Sequence, residues 1–130
     1  MDAVLIDAPC TGTGVWRRRP DAKWKLTERA LGNRLGEQAA LLASALAYLK
    51  PKGRLVYVTC SLLPDENDDQ IAAFLAAHGD VDLVPPAEVI AGAGALGELA
   101  AAALMTERGL ILSPLRTGTD GFFIAMMRRT

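Results

Sequence analysis

Apolar positions along this chain follow two rhythms. Ala3-Val4-Leu5-Ile6 runs without a polar break into Asp7-Ala8-Pro9-Cys10, the signature of a strand covered on both faces that ends in turn chemistry. Residues 12–26 are punctuated by Gly and Pro and read as a loop. From Thr27, a plausible N-cap, Leu31, Leu35, Leu41, Leu42, Leu46 and Leu49 recur at helical spacing to Lys50, where Pro51 and Gly53 end the helix. Arg54-Leu-Val-Tyr-Val-Thr-Cys60 is a second β-rich run. Leu63 to Gly79 predicts a helix with acids in its first turn and Ile71, Phe74 and Leu75 on its apolar side. Val81–Val84 predicts a short strand stopped by Pro85-Pro86, and the Ala/Gly-rich 87–107 predicts only a helix near 96–105. Leu110–Ser113 and Phe122–Arg128 flank a turn at 117–121 and suit an antiparallel pair. The order β-α-β-α-β-(α)-β-β predicts an α/β domain with a mainly parallel sheet and an antiparallel C-terminal strand.

At 130 residues, 51% of them hydrophobic, the chain holds one domain with an aliphatic core, since aromatics are only 5%. No apolar stretch approaches the roughly 20 residues of a membrane span, and no signal peptide is visible, so a cytoplasmic protein is expected. The net charge of −1 conceals a division: residues 15–54 carry about +7 and the rest about −8. Such a basic segment suits a polyanionic partner, or it is a solvated helix face.

Cys10 and Cys60 are the two cysteines. A cytoplasmic setting argues against a structural disulfide, and two thiols alone make no structural zinc site. Both fall at carboxyl ends of predicted strands, where ligands sit in open α/β sheets. Packing and chemistry both remain open at this point, since free cysteine is often buried. His78, beside Gly79, reads as a helix C-terminal residue. Gly92-Ala93-Gly94-Ala95-Leu96-Gly97 matches the dinucleotide fingerprint G-x-G-x-x-G, but only a marginal strand precedes it, and an Ala/Gly-rich loop explains it.

A longer constellation carries more. Asp7-Ala8-Pro9-Cys10-Thr11-Gly12-Thr13-Gly14, then Arg18-Arg19-Pro20-Asp21-Ala22-Lys23-Trp24, then Thr59-Cys60-Ser61 with Pro64, Glu66 and Asn67, then Asp120-Gly121-Phe122-Phe123, follow in that order. Together they resemble the Sun-type (Fmu) RNA cytosine-C5 methyltransferases over residues 3–84 and 110–129. The resemblance implies a Rossmann-like S-adenosylmethionine-dependent methyltransferase fold, with rRNA or tRNA as the substrate. It implies that Cys60 is the nucleophile and that Cys10 assists breakdown of the adduct. It places Asp7 near cofactor and target base, with Pro9 beside the cofactor. Carbon 5 of cytosine is a poor nucleophile, and a thiolate added at carbon 6 converts the ring into an enamine-like species that attacks from carbon 5. Resolving the adduct calls for a second acid/base group. The helix after Cys60 is one source of a lowered thiol pKa, opposed by Asp65 and Glu66. In DNA cytosine methyltransferases the "PC" cysteine attacks instead; the "TCS" stretch here argues against that swap.

Arg17, Arg18, Arg19, Lys23 and Lys25, with Trp16 and Trp24, follow the Cys10 loop and are the candidate RNA contacts, with core packing the alternative for either Trp. Asp65, Glu66 and Asn67 are expected to cap and charge-stabilise a helix start, and Thr119-Asp120-Gly121 to form a tight turn. The resemblance also implies a catalytic domain beginning before residue 1, so residues 1–130 are expected to be its C-terminal half. The cofactor's glycine-rich loop and acidic ribose contact then lie outside it, and weak S-adenosylmethionine binding by the chain alone is expected. Ala3–Ala8 would be an exposed apolar edge, prone to self-association. Two other readings stay open: a non-catalytic RNA-binding remnant, and an α/β domain with structural cysteines.

Overall fold

A computed structural model describes residues 1–130. Strands are β1 (Ala3–Asp7), β2 (Arg54–Thr59), β3 (Val81–Leu83), β4 (Leu104–Met105), β5 (Leu110–Leu112) and β6 (Phe122–Arg129). The α-helices are α1 (Glu28–Tyr48), α2 (Asp68–Ala77), α3 (Pro86–Ala91), α4 (Gly97–Ala102) and α5 (Pro114–Thr117), and the segment expected as a loop at 12–26 holds short 3-10 helices at Thr13–Val15 and Pro20–Lys25. Thr27 caps α1 as expected, its hydroxyl accepting the Ala30 N–H at 3.0 Å.

The strands form one sheet in the order β1-β2-β6-β5-β4, with β3 beside the other end of β6. β1 and β2 are parallel, in register from Ala3 opposite Arg54 to Asp7 opposite Val58. β6 runs antiparallel to β2, β3 and β5. The α/β architecture is as expected, but the term mainly parallel applies to direction only. β1, β2, β3 and β5 point the same way, while β6, inserted among them, makes most ladders antiparallel. A hairpin-like return of the last strand needs no crossover helix, which is why β6 enters this way.

The stretch 86–105 departs from the single helix expected near 96–105. Pro86 opens α3, because its preset φ suits the first helical position. α4 ends at Ala102, and the chain then extends into β4. The G-x-G-x-x-G match therefore follows a helix, not a strand, and makes no dinucleotide loop.

Period-two alternation sorts the sheet into two faces. Ile6, Leu55, Tyr57, Phe123, Ala125 and Met127 face α1 and α2 and join Leu42, Leu46, Ile71 and Phe74 in the core. The opposite face is covered in part by α3 and α4, which with Ile124 and Met126 leave an apolar groove of about 220 Å³. β1 pairs only with β2, and its Leu5 is 68% exposed. His78 caps α2 and packs its ring on Phe74, centroids 4.5 Å apart.

Candidate active site

Because β1 and β2 are parallel neighbours, their carboxyl ends emerge side by side, and the Ala8 N–H still donates to the Val58 carbonyl at 2.9 Å. The chain breaks from β1 at Pro9, which lacks an N–H to continue the ladder. Cys10 follows it, and Cys60 follows β2. Their sulfurs are 3.0 Å apart, both thiols free and half-buried.

The two strand-end loops are fastened by short contacts. The Gly14 N–H donates to the Cys60 carbonyl at 2.9 Å, and the Gly121 N–H to the Gly14 carbonyl at 2.7 Å. Gly14 and Gly121 pack backbone to backbone: a Cβ on Gly121 would lie 2.6 Å from the Gly14 Cα. The Thr13 hydroxyl meets the Ser61 hydroxyl at 3.2 Å and accepts the Leu62 N–H at 2.8 Å. The tight turn expected at Thr119-Asp120-Gly121 is not formed: the chain reverses through α5, closed by Gly118 at φ 66°, and Gly121 then packs on Gly14 while Phe123 enters the core.

Behind the thiols lies a buried polar group. Glu66 and Gln38 are fully buried and Gln70 nearly so. Glu66 accepts the Thr11 N–H on its carboxylate oxygens at 3.1 and 3.2 Å, and Gln38 Nε2 at 3.2 Å. Gln38 Nε2 also donates to the Pro9 carbonyl at 2.8 Å. Asn67 makes no cap with its side chain: it accepts the Thr59 hydroxyl at 2.7 Å and donates to the Ser61 carbonyl at 2.9 Å. The capping roles expected of Glu66 and Asn67 are therefore replaced by bonds that hold the two strand-end loops. Only exposed Asp65 retains a helix-start role.

The close thiol contact separates the two acidities. With Cys10 as donor, its hydrogen bond lowers Cys60 to about 7, against burial and the charges of Asp7 and Glu66, which raise it. The same bond, then burial, pushes the Cys10 thiol well up. The lowered Cys60 pKa thus comes chiefly from the Cys10 contact, where the sequence pointed to the following helix terminus. Tyr57, raised by burial and then by Glu66, donates its hydroxyl to the Glu66 backbone carbonyl at 2.8 Å.

Asp7 is exposed, on the face of β1 opposite Ile6, and Pro9 starts the Cys10 loop. A pocket of about 160 Å³ opens beside Cys10, with Lys25, Leu26, Ala30 and Arg34 in its lining. Arg17, Arg18, Arg19, Lys23 and Lys25 are all exposed. Arg18 and Arg17 pair with Asp120 at 3.0 and 3.7 Å, Lys25 pairs with Asp21 at 3.6 Å, and Lys23 lies 4.8 Å from the Trp24 ring centroid. Trp24 is 79% exposed, whereas Trp16 is half-buried with its indole N–H enclosed.

The family profile described as 16S rRNA methyltransferase RsmB/F matches residues 1–128. The chain belongs to the RsmB/F family. It is 36% identical over 98% of its length to ribosomal RNA small subunit methyltransferase B of Erwinia tasmaniensis, and 42% identical over 98% to that of Sodalis glossinidius. It spans only 26% of the length of each of these curated relatives. Among solved structures, a methyltransferase homolog from Pyrococcus horikoshii is superposable over the whole chain and 39% of its own, with a TM-score of 0.74 and 32% identity. NSun6 from Pyrococcus horikoshii with SFG matches 96% of this chain and 29% of its own, at TM-score 0.70 and 26% identity. These likenesses settle the Rossmann-like frame of the chain.

Within this RsmB/F chain the structure brings Cys10 and Cys60 together and leaves Asp7 and the basic residues exposed, while the sequence reading passed over Gln38 and Gln70. A signal was there. Both are polar residues on the core-facing stripes of their helices, Gln38 one turn before Leu42 and Gln70 beside Ile71. Two such interruptions on facing helices predict a shared polar contact.

Proposed function

We propose that the protein carrying this chain methylates carbon 5 of cytosine in RNA, in the first instance rRNA, within the cytoplasm. Residues 1–130 are read as part of its catalytic domain. The observation that carries this reading is the 3.0 Å thiol pair at two adjacent strand ends, with Cys60 lowered to about 7. No helix is long and apolar enough to cross a membrane, and the family is one of rRNA methyltransferases.

Cys60, made more acidic by the Cys10 contact, adds its sulfur as a thiolate to carbon 6 of the cytosine and makes carbon 5 nucleophilic. The residues present fit one side of S-adenosylmethionine. Asp7 offers an exposed carboxylate beside uncovered apolar surface at Leu5, which suits a cation with an apolar body. Asp7 and Pro9 would hold it there; when bound, it supplies the methyl group that carbon 5 takes. That NSun6 was solved with SFG, an S-adenosylmethionine analogue, supports this choice of cofactor. The carbon-5 proton then passes to solvent water, the electrons of its bond re-form the C5–C6 double bond, and the C6–S bond breaks to release Cys60 as a thiolate. Cys10, which keeps its proton, assists by hydrogen-bonding the departing thiolate. Arg17, Arg18 and Arg19 follow the Cys10 loop and Lys23 and Lys25 lie on the 3-10 helix Pro20–Lys25 after it, where they meet the RNA backbone.

The test is methyl transfer to RNA by the full-length protein. Cys60→Ala is expected to lower kcat by about a thousandfold or more. Cys10→Ala is expected to accumulate a covalent protein–RNA adduct visible on a denaturing gel, and Cys60→Ala to form none. Adduct formation by Cys60→Ala would reverse the assignment, and full activity of both variants would leave the thiols as packing residues.

A further inference from the structure

Cys10 lies in a loop between β1 and the basic segment, outside any helix or strand, yet its sulfur is held at hydrogen-bonding distance from Cys60. Its two neighbours along the chain are each gripped from behind. The Pro9 carbonyl accepts Gln38 Nε2 at 2.8 Å, and the Thr11 N–H donates to the Glu66 carboxylate at 3.1 and 3.2 Å. Gln38 also donates to Glu66, so the two side chains form one clamp around the Cys10 peptide. We infer that Glu66 and Gln38 are positioning residues that set the Cys10–Cys60 sulfur contact by gripping both peptide neighbours of Cys10. The inference rests on reading the thiol pair as catalytic.

The clamp is built to hold one orientation. Gln38 Oε1 accepts Gln70 Nε2 at 3.1 Å, and Gln70 Nε2 also donates to the Leu35 carbonyl at 2.9 Å. Reversing the Gln38 amide would set its oxygen against the Pro9 carbonyl and the Glu66 carboxylate, so the network admits one arrangement. Glu66 is anchored in turn by the Tyr57 hydroxyl on its backbone carbonyl. No cation pairs with the fully buried Glu66 carboxylate; its partners are N–H donors alone. Burying such a charge is costly, and an apolar residue there would favour stability more directly. What Glu66 provides instead is a fixed acceptor for the Thr11 N–H. A displacement of about 1 Å at a reacting group costs on the order of a hundredfold in rate, which sets the scale of what the clamp protects.

The sign of one measurement separates positioning from a plain charge effect. The Glu66 charge by itself raises the Cys60 pKa, whereas the Cys10 contact lowers it more strongly. If Glu66 acted only through charge, Glu66→Ala would make Cys60 more acidic. If it positions Cys10, the same substitution makes Cys60 less acidic.

The experiment follows iodoacetamide alkylation of each thiol against pH, resolved by peptide mass spectrometry. It needs neither RNA nor cofactor, so failure of the methyl-transfer reading does not affect it. In Glu66→Ala and Gln38→Leu the Cys60 pKa is expected to move from about 7 toward its ordinary 9.0. Alkylation at pH 7 then slows by about tenfold. Glu66→Gln, which keeps one oxygen for Thr11, is expected to fall between. In a Cys10→Ala background neither substitution should raise the pKa further. A Cys60 pKa that falls or stays in place in both variants overturns the proposal, as does the same rise without Cys10. Should Glu66→Ala fail to fold by circular dichroism, Gln38→Leu decides alone, because it alters no charge. In the full-length protein the variants should lower kcat with KM for RNA unchanged; a KM effect alone would also count against the clamp.

Discussion

Leu5 and Leu55 are the same residue on neighbouring parallel strands, yet they lead opposite lives. Leu55 is fully buried under α1 and α2, whereas Leu5 is 68% exposed on the other face. The first face is closed and carries the whole apparatus behind the thiols: Tyr57, Thr59, Glu66, Gln38 and Gln70 are all packed or hydrogen-bonded there. The second face is closed only over β5 and β6, by α3 and α4, and is open along β1, where Asp7 projects. The difference separates a packed side from an exposed one. Fixed geometry at the sulfurs comes from the closed face, whereas the open one exposes Leu5 and Asp7 within residues 1–130.

The largest expected effect tests that contrast directly. Leu55→Ala removes a fully enclosed side chain and is expected to cost about 2–5 kcal/mol in denaturant unfolding. Leu5→Ala, with most of its surface already in water, should cost less than about 1 kcal/mol. Comparable losses at the two sites would show that the β1 face is covered in solution, and by self-association if light scattering reports a dimer. Leu5→Lys is then expected to return the chain to monomer, since a charge on an open edge opposes pairing.

Next in size is the Gly14–Gly121 contact, which belongs to neither face but seals the strand ends. A methyl on Gly121 would lie 2.6 Å from the Gly14 Cα, and a methyl on Gly14 would lie 2.8 Å from the Cys60 carbonyl oxygen. Both neighbours are backbone and give way only by moving a loop. Gly121→Ala is expected to cost about 1–3 kcal/mol and to shift the Cys60 titration as well, because the Gly14 N–H bond to the Cys60 carbonyl is strained with it. A stability loss with an unchanged Cys60 pKa would confine the contact to scaffolding.

The sequence was most legible where one residue type has one physical use. Alternation and helical spacing located β1, β2, β6, α1 and α2, and the paired strand ends located Cys10 and Cys60. Thr27 as a cap followed from local chemistry alone. It was least legible where the outcome depends on distant partners. Glu66 and Asn67 look like helix-start residues by position, but tertiary contacts with Thr11 and Thr59 take over their side chains. The antiparallel direction of β6 was legible, but its place between β2 and β5 is a long-range choice that no local pattern encodes. Residues 86–105, small and weakly periodic, divide into α3, α4 and β4 because Pro86 starts a helix and β5 offers an edge to pair with.

The smallest effect on stability concerns the basic segment, where the two faces meet at the strand ends. Asp120 accepts Arg18 at 3.0 Å and faces Arg17 at 3.7 Å, and both arginines are well exposed. Such pairs contribute about 0.5 kcal/mol or less once solvent screening is counted, so Asp120→Asn should barely move the unfolding midpoint. Its effect on RNA binding should be larger in proportion. Removing the carboxylate frees two guanidinium groups and deletes a charge that repels phosphate, so affinity is expected to rise by a few-fold at low salt. The gain should vanish as salt is raised, because it is carried by counterion release and not by shape. Arg19→Ala, which breaks no ion pair, should act in the opposite direction. Asp120→Asn weakening RNA binding would mean that the Arg17–Arg18–Asp120 contact orders the loop into the shape the RNA meets, placing its value in geometry like that of the closed face.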